Sequence, residues 1–128
     1  MRLLLDTHAF LWYILGGLRL SAQACSLLQN PANELFLSIA SAWEVGIKVS
    51  TSKLTLSEPL EAYFREQMFI NSISLLPITL EHAALVSTLP FHHRDPFDRM
   101  LVAQSLVEGI PLVSADPALD AYGVIRLW

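Results

Sequence analysis

The feature that most constrains this chain is a fivefold alternation. Short apolar runs at Arg2–Leu5, Leu35–Ser38, Ile73–Ile78, Leu112–Ser114 and Val124–Leu127 are separated by stretches that carry helical signals. Runs this short and continuous suit strands buried on both faces, and strands interleaved with helices assemble most simply into a parallel sheet covered on both sides. The expected fold is α/β, with a central parallel sheet of about five strands between helical layers. At 128 residues the chain is long enough for one core, so residues 1–128 are read as a single domain.

The helical stretches carry recognisable starts and stops. Asp6-Thr7 ends the first strand and can cap a helix, and His8 to Leu15 is apolar nearly all round, a buried helix stopped by Gly16-Gly17. Ser21 caps a short helix through Leu28, and Asn30 to Asn33 is a turn. Ser41 and Glu44 stand at capping-box spacing and open a helix running to Val49. Pro59 to Phe69 reads as a helix with Leu60, Tyr63, Phe64 and Met68 along one side, an aromatic stripe for the core or an interface. Thr79 caps a helix from Leu80 to Thr88. Asp95-Pro96 is an N-cap with proline in the first turn, Asp98 follows in that turn, and Gly109 ends the helix.

In a parallel α/β sheet the strand C-termini and the helix N-termini share one edge, and Asp6, Glu44, Asp98 and Asp116 all map to it. Each acid alone has a plain explanation as a cap, a turn residue or a partner of the helix dipole. Together they do not: a cap contributes about 1 kcal/mol, whereas two carboxylates about 4 Å apart repel by roughly 4 kcal/mol at an effective dielectric near 20. Raised pKa values or bound cations must offset that repulsion, and an all-oxygen site suits Mg²⁺ or Mn²⁺ rather than zinc. His8, His82, His92 and His93 make no zinc spacing, and the lone Cys25 excludes both an internal disulfide and a thiolate zinc site. His92 and His93 could contact phosphate, with a solvated loop as the plainer reading. Lys48, Arg94 and Arg99 flank the acids and are the candidates for holding a phosphodiester, with surface ion pairs as the competing role for Lys48 and Arg99.

Composition leaves that reading open. A net charge of −4 argues against nucleic acid at first sight, but acids gathered around a cation reverse the local sign. The chain is 53% hydrophobic and 16% charged, more apolar than an average soluble domain, so part of its surface is expected to meet another protein. The longest apolar run, Ala9 to Leu15, is far too short to span a bilayer, so no membrane association and a cytoplasmic location are expected.

The ordered motifs resemble those of PIN-domain ribonucleases of the VapC type, the toxins of bacterial toxin–antitoxin pairs. The resemblance runs nearly end to end. It rests on Leu4-Leu5-Asp6-Thr7-His8, Leu11-Trp12, Ser41-Ala42-Trp43-Glu44-Val45, Ile47-Lys48, Lys53-Leu54, His92 to Gln104, Leu112 to Asp116, Tyr122-Gly123-Val124 and Trp128. Ser114 stands where the family more often has threonine, and Ser52 where glycine commonly precedes the lysine; neither departure removes a carboxylate.

That resemblance implies a three-layer α/β/α domain whose acidic quartet, Asp6, Glu44, Asp98 and Asp116, holds Mg²⁺, with Mn²⁺ as a substitute. It implies hydrolysis of RNA to 5′-phosphate and 3′-hydroxyl ends, with Asp95 and Ser114 as neighbouring groups. Dimers, and a partner antitoxin whose C-terminal segment enters the acidic site, are also implied; the stripe of Tyr63, Phe64 and Met68 would then be the exposed face that receives it. The alternative is a PIN-like module that binds RNA or protein without cutting.

Overall fold

Leu3, Leu4 and Leu5 are wholly buried at the centre of the sheet in the computed structural model, which describes residues 1–128. They form β1 (Arg2–Leu5), followed by α1 (Thr7–Ile14), α2 (Ala22–Gln29), β2 (Glu34–Ser38), α3 (Ile39–Ser50), α4 (Leu60–Ile70), β3 (Ile73–Leu76), α5 (Leu80–Val86), α6 (Pro96–Glu108), β4 (Leu112–Val113), a 3₁₀ helix (Pro117–Tyr122) and β5 (Arg126–Leu127). The five strands are parallel, in the order β3-β2-β1-β4-β5. The expected α/β sheet between helical layers is therefore present.

The period-two alternation of strand side chains divides the core in two. Leu3, Leu5, Leu35, Leu37 and Val113 pack with Ala9 and Phe10 of α1, Leu28 of α2, Val45 of α3 and Tyr63 and Phe64 of α4. Leu4 and Leu112 face the other way, onto Leu101, Val102 and Ala103 of α6, Leu119 and Val124. No helix is long and apolar enough to cross a membrane.

Several local expectations change. Helix α3 begins at Ile39, not Ser41, because the Oγ of Ser38 accepts the amide of Ala40 at 3.0 Å and caps the helix directly at the strand end. No Ser41–Glu44 capping box forms; Ser41 instead accepts a hydrogen bond from the Thr7 hydroxyl at 2.9 Å, tying α3 to α1. β3 stops at Leu76, before Pro77, which has no amide for a ladder. β5 is confined to Arg126–Leu127, and α5 ends at Val86 rather than Thr88. Helix α1 is buried along one side only: Leu11 to Ile14 are half-buried and Leu15 is exposed.

The stripe on α4 is core, not an exposed face. Tyr63 and Phe64 are buried and Phe64 stacks on Phe10 at 5.4 Å, while the exposed apolar residues of this helix are Phe69 and Ile70 at its far end. Helix α4 turns its aromatic side inward because it closes the layer over β2 and β3, where Leu35, Leu37 and Ile73 need cover.

Candidate active site

Strand ends and helix starts meet along one edge, as a parallel sheet requires, and three aspartates there are caps. Asp6 Oδ1 accepts from Ala9 at 2.7 Å, Asp116 Oδ1 from Ala118 at 3.0 Å, and Asp95 Oδ1 from Phe97 and Asp98 at 2.8 and 3.1 Å. Capping of Asp6 and Asp116 engages one oxygen of each and leaves the second for the site. Capping and ligand binding are therefore compatible in the same residue.

Glu44 and Asp98 have no such structural use. Glu44 is 8% exposed in the middle of α3, with Oε2 3.4 Å from Lys48 Nζ and Oε1 buried without a hydrogen-bond partner. Asp98, in the first turn of α6, is pushed up to about 7, first by burial and then by the negative charge of Asp95, with Asp6 and Glu44 adding smaller contributions and His93 opposing them. Burial also raises Asp6, while a hydrogen bond from the Ser114 side chain pulls it back down. Ser114 in turn accepts the amide of Asp116 at 3.1 Å, so this buried hydroxyl links the ends of β1 and β4.

His93 is the residue that sequence reasoning undervalued. It lies on the loop before α6, half-buried, with Nε2 2.9 Å from Asp116 Oδ2 and 3.3 Å from Asp98 Oδ2. Ligand-type atoms of His93, Asp98 and Asp116 all lie within 4.8 Å of one another, a grouping able to hold a divalent metal ion. The sequence offers His93 as a candidate phosphate contact and as part of the His92–Gln104 stretch, with a solvated loop as the plainer reading; it does not place the ring against Asp98 and Asp116. Tyr122, which organises that loop, is marked in the sequence only within the Tyr122-Gly123-Val124 motif. Its hydroxyl accepts from the His93 amide at 2.9 Å and from Arg99 at 3.2 Å and donates to the Pro90 carbonyl at 2.8 Å.

The three candidate bases fare differently. Lys48 lies at the acids through its pair with Glu44. Arg94 is exposed on the loop beside them. Arg99 is 5% exposed and turned away from Asp98: its guanidinium donates to the carbonyls of Pro90, Leu89 and Val86 at 2.8, 3.1 and 3.3 Å and lies 4.0 Å from the centre of the Phe91 ring. This side chain holds the loop. Both terminal nitrogens are taken up by the loop and Tyr122, so they do not present to a phosphate the fork expected from its place next to Asp98.

The donor set fits a hard cation. Carboxylates predominate, one buried carboxylate oxygen is left over, and Asp98 carries a pKa raised first by burial and then by the acids around it. A cleft of about 300 Å³ opens beside this edge, lined by Asp6, His8, Trp12, Ala115 and Asp116. It gives solvent-side access to two of the four carboxylates.

Comparison with known proteins agrees with this architecture. A family model described as "PIN domain" matches residues 3–125. VapBC2 from Rickettsia felis, bound to a DNA fragment from their promoter, is similar in fold at 14% identity and a TM-score of 0.70, covering 99% of this chain and 98% of that one. FitAcB from Neisseria gonorrhoeae is similar at 15% identity and 0.66, covering 98% and 96%. A toxin–antitoxin complex from Klebsiella pneumoniae is similar at 16% identity and 0.63, covering 98% and 95%. No curated protein sequence matches the chain. With the match extending over nearly its whole length, the chain belongs to the PIN-domain family.

Proposed function

We propose that this protein is a metal-dependent endoribonuclease and the toxin of a toxin–antitoxin pair. The observation that carries the reading is the buried, unpartnered Oε1 of Glu44 beside Asp98, whose pKa burial and the neighbouring acids push up to about 7. A structural role explains a cap; it does not explain a carboxylate left unsatisfied in a buried cluster.

Asp6, Asp98 and Asp116 would hold the cation, with Glu44 completing its ligands or orienting a water. A bound Mg²⁺ or Mn²⁺ supplies Lewis acidity and offsets negative charge on the phosphoryl group. The chain's own contribution is positional. The Asp6 and Asp116 caps fix two carboxylates at strand ends, α3 and α6 present the other two, and the Ser114 hydroxyl partly opposes the burial that raises Asp6. Lys48, and Arg94 at the rim, would steer the phosphate chain toward this edge. The partner reading draws on the similar complexes: a homodimer or a hetero-oligomer with an antitoxin, in the cytoplasm, is the proposed working form.

The test is cleavage of total RNA by partner-free protein with Mg²⁺ or Mn²⁺, with EDTA, and with Asp6→Asn, which retains a capping oxygen. Discrete fragments that vanish with EDTA and in the variant are expected. A folded, partner-free protein that binds RNA without metal-stimulated cleavage would instead be a binding module.

A further inference from the structure

The backbone amide of Asp95 donates to Nδ1 of His93 at 3.1 Å. A ring nitrogen that accepts a hydrogen bond carries no proton, so the proton of the neutral imidazole is on Nε2, aimed at Asp116 Oδ2 with Asp98 Oδ2 beside it. Ligating a metal through Nε2 would require the opposite tautomer, whose Nδ1–H would face the Asp95 N–H, donor against donor. That amide cannot readily turn away. Asp95 is fixed as the α6 cap by two hydrogen bonds, and His93 is fixed by the Tyr122 hydroxyl.

Resting on the reading of this edge as a cation site, we infer that His93 is not a ligand of the metal but its competitor, a positioning residue whose Nε2–H occupies the gap between Asp98 and Asp116. A cation entering between those carboxylates must displace this donor. The loop therefore holds metal affinity below what the acids alone would give, and supports the metal-free site by supplying a hydrogen where a cation would otherwise stand. The Arg99 and Tyr122 contacts make the arrangement part of the fold, because they hold the segment from Val86 to His93 against α6 and the 3₁₀ helix.

The sign of one substitution separates competitor from ligand. Mn²⁺ titration by calorimetry of the intact, partner-free chain is expected to show His93→Ala binding about tenfold tighter than wild type, the order of one charge-assisted hydrogen bond removed from the metal-free state. His93→Gln, which can return an amide donor to the same place, is expected to move the affinity back toward wild type. Nitrogen-15 spectra of the histidines in metal-free protein should place the His93 proton on Nε2, and this reading is independent of any variant's folding. Weaker or unchanged Mn²⁺ binding in His93→Ala, or a proton on Nδ1, overturns the inference while leaving the cation site standing. Wild-type protein that binds no Mn²⁺ overturns both.

Discussion

Arg99 and Glu44 are both charged, both helical and both more than nine-tenths buried, at 5% and 8% exposure, yet their surroundings are opposite. Arg99 meets three carbonyls and a hydroxyl, so four of its five N–H donors are matched within the fold. Glu44 has a single ion pair on one oxygen and nothing on the other. Burying a charge is costly unless it is paired and hydrogen-bonded. The guanidinium meets that condition with the protein's own groups and is structural. The carboxylate does not, and under the proposed function a bound cation would supply the missing partner.

The strongest way to break this comparison is at Arg99. Arg99→Ala removes four hydrogen bonds and leaves buried carbonyls of the loop unmatched, so a loss of about 3–5 kcal/mol in folding free energy is expected. Urea unfolding measures it, and a loss below about 1 kcal/mol would mean that the loop is not held as described.

The pH dependence of metal-free protein comes next. The folded-state pKa of Asp98, about 7, lies above its ordinary 3.8, so folding favours the protonated form. The stability associated with that proton is complete below pH 3.8 and is lost as pH rises toward about 7. Melting without metal is therefore expected several degrees lower at pH 8 than at pH 5.5, with a linked loss of at most about 2 kcal/mol over that interval. Asp98→Asn should flatten much of that difference and be more stable than wild type at pH 8. An unchanged pH profile in the variant would remove Asp98 as its source.

Smaller effects sharpen the contrast. Glu44→Gln removes one charge from the cluster and is expected to stabilise metal-free protein by about 1 kcal/mol while weakening Mn²⁺ binding. The opposite signs, read by melting and by calorimetry, distinguish a ligand from a structural acid. Lys48→Ala leaves the buried Glu44 without its single ion pair, partly exposed on the lysine side, and should lower stability by about 1 kcal/mol while weakening RNA binding at low salt.

Much of the frame could be read from local chemistry. The cap at Asp95, proline in the first turn of α6, the stop at Gly109 and the strand before Asp6 each depend on a few neighbouring residues. What sequence could not decide was competition between equally good local choices. Ser38 and Ser41 are both plausible caps, and the choice of Ser38 frees Glu44 from a capping box. Arg99 follows Asp98 in sequence, but a helix turns by about 100° per residue, so the two side chains leave in different directions. The Arg99 stem runs back toward the N-terminal end of α6, onto the preceding loop. His93 meets Asp116 across 23 residues, a contact set by packing of the 3₁₀ helix rather than by any local pattern.

Mn²⁺-dependent melting of partner-free wild-type protein and Asp98→Asn at pH 8 tests the central claim most directly. A ligand at about 100 times its dissociation constant adds about 2.7 kcal/mol to folding, so the wild-type melting temperature should rise by several degrees and return with EDTA. Asp98→Asn, more stable than wild type without metal, should gain little from Mn²⁺. Equal shifts in both proteins, or none in wild type, would contradict the claim that these buried acids are held for a cation.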